Sequence, residues 1–184
     1  MILLGSKPTG RRTEQHDFFF GLADSLANLR PQIIDAWPEA GKTLHLDGWR
    51  KVTSVDGYRV EVVPNDGKIS TQSGRLFFIN LGGYKPGELV EYHYQMLCVA
   101  SDKANAIQQS KQTAFFKHTG FKGADSHVDD KYGIDVDDVF AIEDILPGQI
   151  KKDFSIRLTK SNAAEPDMLH LGYFNMDKLP LIEE

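Results

Sequence analysis

Apolar residues fall along the chain in short runs broken by Gly, Pro, Asp and Asn, a pattern of strands and turns with few long helices. Residues 1–5, MILLG, form one such run, followed by the turn-rich SKPTGRRT and by QHDFFFGLA, which predicts a longer strand. Residues 76–82, LFFINLG, then GYKPGEL and EYHYQMLCVA, repeat that plan. Asp24 and Asp102 stand at N-cap positions, and Ala104, Ile107 and Ala114 follow helical spacing toward Gly120. Leu26, Leu29, Ile33 and Trp37 do the same in the first half, where Pro31 predicts a kink or two short helices. TLHLDGWRKV and YRVEVV, joined by TSVDG, predict a hairpin on the Asp-Gly signal, with DSHVDDKYGI and VFAIEDI as their counterparts.

The two halves align. A shift of 77 pairs Ile2 with Ile79, Leu4 with Leu81, Gly5 with Gly82, Gly10 with Gly87, Glu14 with Glu91 and His16 with His93. A shift of 82 pairs His45 with His127, Asp47 with Asp129 and Asp56 with Asp138, the difference falling in the loop KHTGFKGA. A weaker echo places His170 opposite His93. The expected fold is therefore α+β: two tandem ββαββ repeats with mainly antiparallel sheets and one helix per repeat on a sheet face. Residues 1–64 form repeat one, 65–75 a linker and 76–147 repeat two. Residues 148–184 supply a C-terminal hairpin packed on the repeats. One unit of this size buries too little apolar surface alone, so the copies are expected to share one body about a pseudo-twofold axis.

Composition narrows the function classes. The net charge of −5 is concentrated in the second half and leaves no basic footprint for a phosphate backbone, so nucleic acid is not an expected partner. No apolar stretch approaches the roughly 18 residues that span a bilayer, and no membrane partner is expected. The start MILLGSKPTGRR carries its basic residues after the apolar run, the reverse of a signal peptide. With a single cysteine, Cys98, this points to the cytoplasm.

The candidate chemistry sits on histidines two residues from carboxylates. Glu14 and His16, Glu91 and His93, His45 and Asp47, and His127 and Asp129 form the four pairs. Residues two apart on a strand share a face, so Glu-x-His and His-x-Asp from neighbouring strands can converge on zinc, iron or manganese. The competing expectation is structural. It places each histidine at the wet end of a core-facing row, hydrogen-bonded to its carboxylate, with no metal; the third echo has Met168 where the others have Glu. Repeat one also carries Arg11, Arg12, Trp49 and Arg50, where repeat two has Glu88, Leu89, Lys131 and Tyr132. Those four residues are the candidate ligand-binding set, offering guanidinium forks and an aromatic face to a small anion or an acidic peptide. No Ser-centred elbow, phosphate loop or dinucleotide fingerprint is present, and the cofactor is left unknown.

The segments TEQHDFFFG, AWPEA, WRKVTSVDGYRVEVVP, LFFINLGGYKPGELVEYHYQML, TAFFKHTGFKGADSHVDDKYGIDVDD and IEDILP resemble a bacterial family, domain of unknown function family 1543. That family carries one or two copies of its domain, so the resemblance agrees with the repeat and implies a small soluble protein; no activity, substrate or cofactor comes with it. Two readings of function follow. The first is a non-catalytic soluble binding or interaction protein, with a homodimer left open. The second is a metal-dependent or His/carboxylate acid–base enzyme acting on a small anionic substrate.

Overall fold

The computed structural model describes residues 1–67, 74–84, 87–112, 134–161 and 165–180. Strands predominate, the helices are short and few, and each strand pairing for which a register is seen is antiparallel, so the chain is α+β. Among the described residues no helix is long and apolar enough to cross a membrane. The chain divides into two compact units. Unit one comprises residues 1–54, 146–154 and 165–184; unit two comprises 55–145 and 155–164.

Unit one is built on a four-stranded sheet. Its order is β10 (His170–Asn175), β3 (His45–Trp49), β1 (Ile2–Ser6), β2 (Gln15–Phe19). Ile2 and Leu4 alternate onto one face of β1 and pack with Phe19, Leu46, Leu26 and Ile33 in a core cluster. The helix over that face begins with a 3-10 turn, Ala27–Leu29, and continues as α1, Arg30–Ala36. Pro31 lies in the first turn of α1, where a helical N–H has no partner within the helix, so two short helices form without a kink. The cap differs from expectation: Asn28 N–H donates to Ser25 Oγ at 3.3 Å, and Asp24 does not cap. Ser6, fully buried on the core face, donates to the Ala40 carbonyl at 3.0 Å and lies 2.7 Å from Thr43 Oγ1, which satisfies a hydroxyl that would otherwise be costly to bury.

Unit two holds two three-stranded sheets. One has the order β7 (Glu91–Ala100), β6 (Arg75–Tyr84), β8 (Ile134–Ala141); the other has β4 (Ser54–Val55), β5 (Tyr58–Pro64), β9 (Phe154–Lys160). Phe77, Ile79, Leu81, Cys98, Ala106 and Val139 form its core. Helix α2, Lys103–Ser110, starts where the sequence puts it, with Asn105 N–H donating to the Asp102 carboxylate at 2.8 Å. The expected helix end near Gly120 lies outside the described residues.

Several expectations are corrected. The Asp-Gly turn is present, with Asp56 at φ 51° and Gly57 at φ 74°, but it joins the two-residue β4 to β5; β3 belongs to the sheet of unit one. β5 falls in unit two, outside the boundary expected for residues 1–64. VFAIEDI is a strand only through Ala141. Ile142–Ile145 is a helical turn, which lets Arg75 reach Glu143 at 3.1 Å and Asp144 at 2.8 Å together. Among the described residues of 148–184, β9 joins the sheet of β5 and β10 pairs with β3 in place of the expected hairpin; Gly148–Asp153 is a short helix.

The registers nevertheless correspond. Gly5 is opposite His16 and Gly82 is opposite His93, so an offset of 77 carries the β1–β2 pairing onto β6–β7. Gly5 is also opposite His45 and Gly82 opposite Asp135, which gives β3 and β8 an offset of 90 in place of 82. Each of these pairings slips at the same place. Leu3 faces Gly48 while Leu4 faces Leu46, and Asn80 faces Asp138 while Leu81 faces Val136. The extra residue is Asp47 in one strand and Asp137 in the other, each a β-bulge that redirects one side chain.

Candidate metal centre

The site of unit one lies on the sheet face opposite the helix-covered core. Ile2 and Leu4 point to the core, so Gly5 points away, and His16 and His45 are directly across from it on the neighbouring strands. The helix-packed residue of β2 is Phe19, which places His16 on the other face from that core and not at the end of its row. A side chain at position 5 has no room. A Cβ there would meet His45 Nε2 at 2.5 Å and collide with a carboxylate oxygen of Asp47. Glycine is what lets four polar side chains gather over the strand.

They do gather. His16 Nε2 is 3.1 Å from Asp47 Oδ2 and 3.8 Å from Glu14 Oε2. His45 Nε2 is 3.2 Å from Glu14 Oε1 and 3.3 Å from Asp47 Oδ1. Glu14, His45 and Asp47 each present a donor atom within 4.8 Å of the others. Asp47 Oδ2 is buried yet makes no hydrogen bond, so its contact with His16 is one of distance without hydrogen-bond geometry. His45 is only 5% exposed. Tyr173 stacks on its ring at 4.4 Å between centroids.

The ring of His45 has a determined orientation and proton. Its Nδ1 is 2.8 Å from the Thr43 carbonyl oxygen, which can only accept, so Nδ1 carries the hydrogen. Nε2 then faces two carboxylates. A bare lone pair there would repel both, and a metal ion between them resolves the conflict. A histidine whose far nitrogen is tied to a backbone carbonyl is the arrangement that orients imidazole ligands on metals. Three of the four nitrogen–oxygen separations, all but the 3.8 Å from His16 to Glu14, also suit a shared ion, because bonds of about 2.1 Å put neighbouring ligand atoms roughly 3.0–3.4 Å apart in octahedral or tetrahedral geometry.

Unit two has a thinner version. His93 Nε2 is 3.9 Å from Glu91 Oε2 and 3.5 Å from Asp137 Oδ2. A Cβ at Gly82 would collide with the Asp137 carboxylate, as at Gly5. Here, however, the carboxylates have neutral donors: Asn80 Nδ2 reaches Asp137 Oδ2 at 3.5 Å, and the Tyr84 hydroxyl donates to Glu91, which raises the tyrosine pKa. His127 and Asp129, the expected counterparts of His45 and Asp47, lie outside the described residues, and the register gives their places to Asp135 and Asp137. Asp137 is the site residue that the sequence reading missed. HLDGW and DVDDV share Asp47 with Asp137 at an offset of 90, a weaker signal than the His-x-Asp match at 82.

The proposed anion set does not assemble. Arg11 and Arg12 lie in the loop that follows the Ser6 end of β1, whereas Trp49 pairs with Ile2 and Arg50 N–H donates to the Met1 carbonyl at the other end. At about 3.3 Å per residue the two pairs are more than 10 Å apart along the strand. Trp49 is instead half-buried and stacked on His170 at 3.9 Å, within 4° of parallel. His170 begins β10, where the sequence places a strand. A separate open cavity of about 380 Å³ in unit two is lined by Tyr58, Asn105, Gln108, Gln109 and Gln112 among others, and it carries no acid–base pair. Cys98 is 1% exposed and burial pushes its thiol up to about 12, so it is inert at neutral pH.

Comparison with known proteins supports the fold and matches one stretch of the chain to a family model. No curated protein matches the chain. A crystal structure of the protein Il1583 from Idiomarina loihiensis is similar, with a TM-score of 0.64 and 23% identity, covering 95% of this chain and 94% of that one. The likeness supports the α+β fold. Residues 11–62, the stretch that carries Glu14, His16, His45 and Asp47, match the family model described as Domain of Unknown Function (DUF1543).

Proposed function

We propose that unit one holds a divalent transition-metal ion between Glu14, His16, His45 and Asp47, and that the protein works through it as a metal-dependent enzyme. The observation behind this reading is the buried His45 ring, with its Nδ1–H committed to Thr43 and its Nε2 held between two carboxylates. Two imidazoles and two carboxylates suit zinc, iron or manganese better than calcium or magnesium, which prefer all-oxygen sets. Two carboxylates also balance a divalent charge when both histidines are neutral. The exposed side of the cluster, formed by Glu14 and His16 with side chains 46% and 48% exposed, leaves access for water or a substrate. A metal ion there would supply Lewis-acid chemistry, and His16 is placed to bind the ion or to move a proton beside it.

The matching offsets in the two units support reading the chain as a doubled element in which one copy kept a full ligand set. An interaction role, the other reading, has its own observation: β10 is an edge strand of its sheet, with Leu171 75% and Tyr173 70% exposed. Elemental analysis of protein purified without a histidine tag, followed by calorimetric titration with Zn²⁺ and Mn²⁺, separates them. One equivalent bound in wild type and lost in His45→Ala is the expected result. A wild-type protein that binds neither ion would leave the four residues a purely structural cluster and overturn the metal reading.

A further inference from the structure

The loop between β1 and β2 is a second recognition element beside the proposed centre. Pro8–Arg11 is a tight turn: Arg11 N–H donates to the Pro8 carbonyl at 3.1 Å, and Gly10, at φ 87°, occupies the position where a type II turn requires a left-handed residue. This fixes where the chain re-enters the sheet. Lys7 directly follows β1, and Arg12 lies two residues before Glu14, so the Arg12 α-carbon is within about 7 Å of that ligand residue's. Lys7, Arg11 and Arg12 are all exposed, and among the described residues none of them has an ion pair or a hydrogen bond to its side chain. Cations are therefore concentrated and uncommitted at the open rim of a cluster whose two carboxylates face inward on the imidazoles.

The other unit supplies the contrast. At the offset of 77, Lys7, Arg11 and Arg12 become Tyr84, Glu88 and Leu89. Tyr84 is committed to Glu91, Glu88 to the hydroxyl of Tyr92, and Leu89 is fully exposed. Among the described residues, the cationic rim accompanies the cluster built on His16 and His45.

We propose that the centre of unit one takes a small dianionic molecule, one oxyanion group of which binds at the metal while Lys7, Arg11 and Arg12 neutralise its charge. This rests on the metal reading above and names the substrate class for it. Guanidinium groups match phosphate and carboxylate oxygens in pairs, and a loop bearing three cations suits a doubly charged group better than a single carboxylate. Arg11 and Arg12 are thus retained from the expected binding set, in a site built on His45 and not on Trp49.

The test uses the full-length protein loaded with Co²⁺, whose visible absorption reports changes in coordination. Inorganic phosphate and malonate are titrated separately into wild type, Arg11→Ala/Arg12→Ala and Lys7→Ala, with circular dichroism as the check on folding. The expected result is a spectral change at saturating phosphate or malonate, with affinity reduced about tenfold or more in the double variant. Affinity for Co²⁺ itself should change less than threefold. The probe that binds more tightly identifies the oxyanion. Loaded wild-type protein that responds to neither probe, or a double variant that binds the anions as tightly as wild type, overturns this inference and leaves the metal reading intact. Failure of wild type to take up Co²⁺ overturns both.

Discussion

The two units place a histidine, a glutamate and a bulged aspartate over a glycine in the same register, and yet they surround the aspartate differently. In unit two the residue opposite the bulge is Asn80, whose amide reaches Asp137, and Tyr84 donates to Glu91. Position 3, the counterpart of Asn80, is Leu and offers no donor, and Asp47 Oδ2 is left buried without a hydrogen bond. A buried carboxylate oxygen without a donor costs free energy unless a cation meets it. In unit two Asp137 is exposed to solvent and also has a neutral donor in Asn80. Unit one leaves that cost to be met from outside the chain and adds a second imidazole aimed at the same point. The bulge and glycine are thus a shared scaffold, and the donors around it decide whether it is a structural cluster or a metal centre.

The largest test of that contrast removes one imidazole from each unit. His45→Ala is expected to weaken Zn²⁺ binding about 100-fold or more, since even groups that only orient a ligand commonly matter by 10–100-fold. His93→Ala should leave both stoichiometry and affinity unchanged, measured by calorimetry. Equal losses in the two variants would mean that both clusters bind metal and would erase the distinction.

The glycines give the next effect. Gly5→Ala and Gly82→Ala each place a methyl group on a carboxylate, and overpacking of this kind costs about 1–3 kcal/mol. Urea unfolding should show the larger loss in Gly5→Ala, where the methyl group also meets the buried His45 ring, and a smaller one in Gly82→Ala, where it meets only the exposed Asp137 carboxylate. Only Gly5→Ala should also lower metal affinity, because only there does the methyl group meet a proposed ligand atom of His45 as well as that of Asp47.

How much of this was legible in the sequence follows from where the signal lies. The offset of 77 is readable because β1, β2, β6 and β7 carry both the core pattern and the Gly and His that define the site. The strands β3 and β8 are not, because a bulge adds one residue to each strand at a place no periodicity marks, and because His127 and Asp129 imitate HLD at a false offset. Convergence of Glu14 with His45 is also beyond periodicity. It depends on β1 lying between β2 and β3, a choice of strand order that alternating patterns do not encode. Trp49 misled for a different reason. An aromatic next to Arg50 reads as a ligand face, but the cross-strand pairing with His170 takes the ring into a stack. The pairings of β9 with β5 and of β10 with β3 are long-range and have no local cause.

A smaller effect separates the units by pH. The one cysteine, Cys98, belongs to the core of unit two, and its thiol is pushed from 9.0 to about 12 in the folded state, chiefly by burial. The unfolded chain then loses this proton first as pH rises, so stability is fully present below about pH 9 and falls between 9 and 12. By pH 10 the loss is about 1.4 kcal/mol, one unit beyond the unfolded value. Urea midpoints measured between pH 8 and 10 should fall with a slope that Cys98→Ala flattens. An identical slope in that variant would show that other groups account for the alkaline loss.

The smallest expected effect is a gain. If the surrounding donors decide what the scaffold does, then changing them in unit two should move it toward a metal centre. Asn80→Leu removes the amide that serves Asp137, and Asp135→His puts an imidazole at the register position of His45. In this background His93, Glu91 and Asp137 already stand within 4.8 Å of one another, so the double variant needs no new backbone geometry. The new ring lacks the Thr43 carbonyl that fixes His45, and Tyr84 still competes for Glu91, so the second site should be weaker than the first by about 10–100-fold, the usual worth of such supporting contacts. Zinc stoichiometry should rise from one toward two at high ion concentration and return to one when His93→Ala is added. A double variant that stays folded and gains no binding would show that the buried setting of His45, and not the identity of the donors, makes unit one what it is.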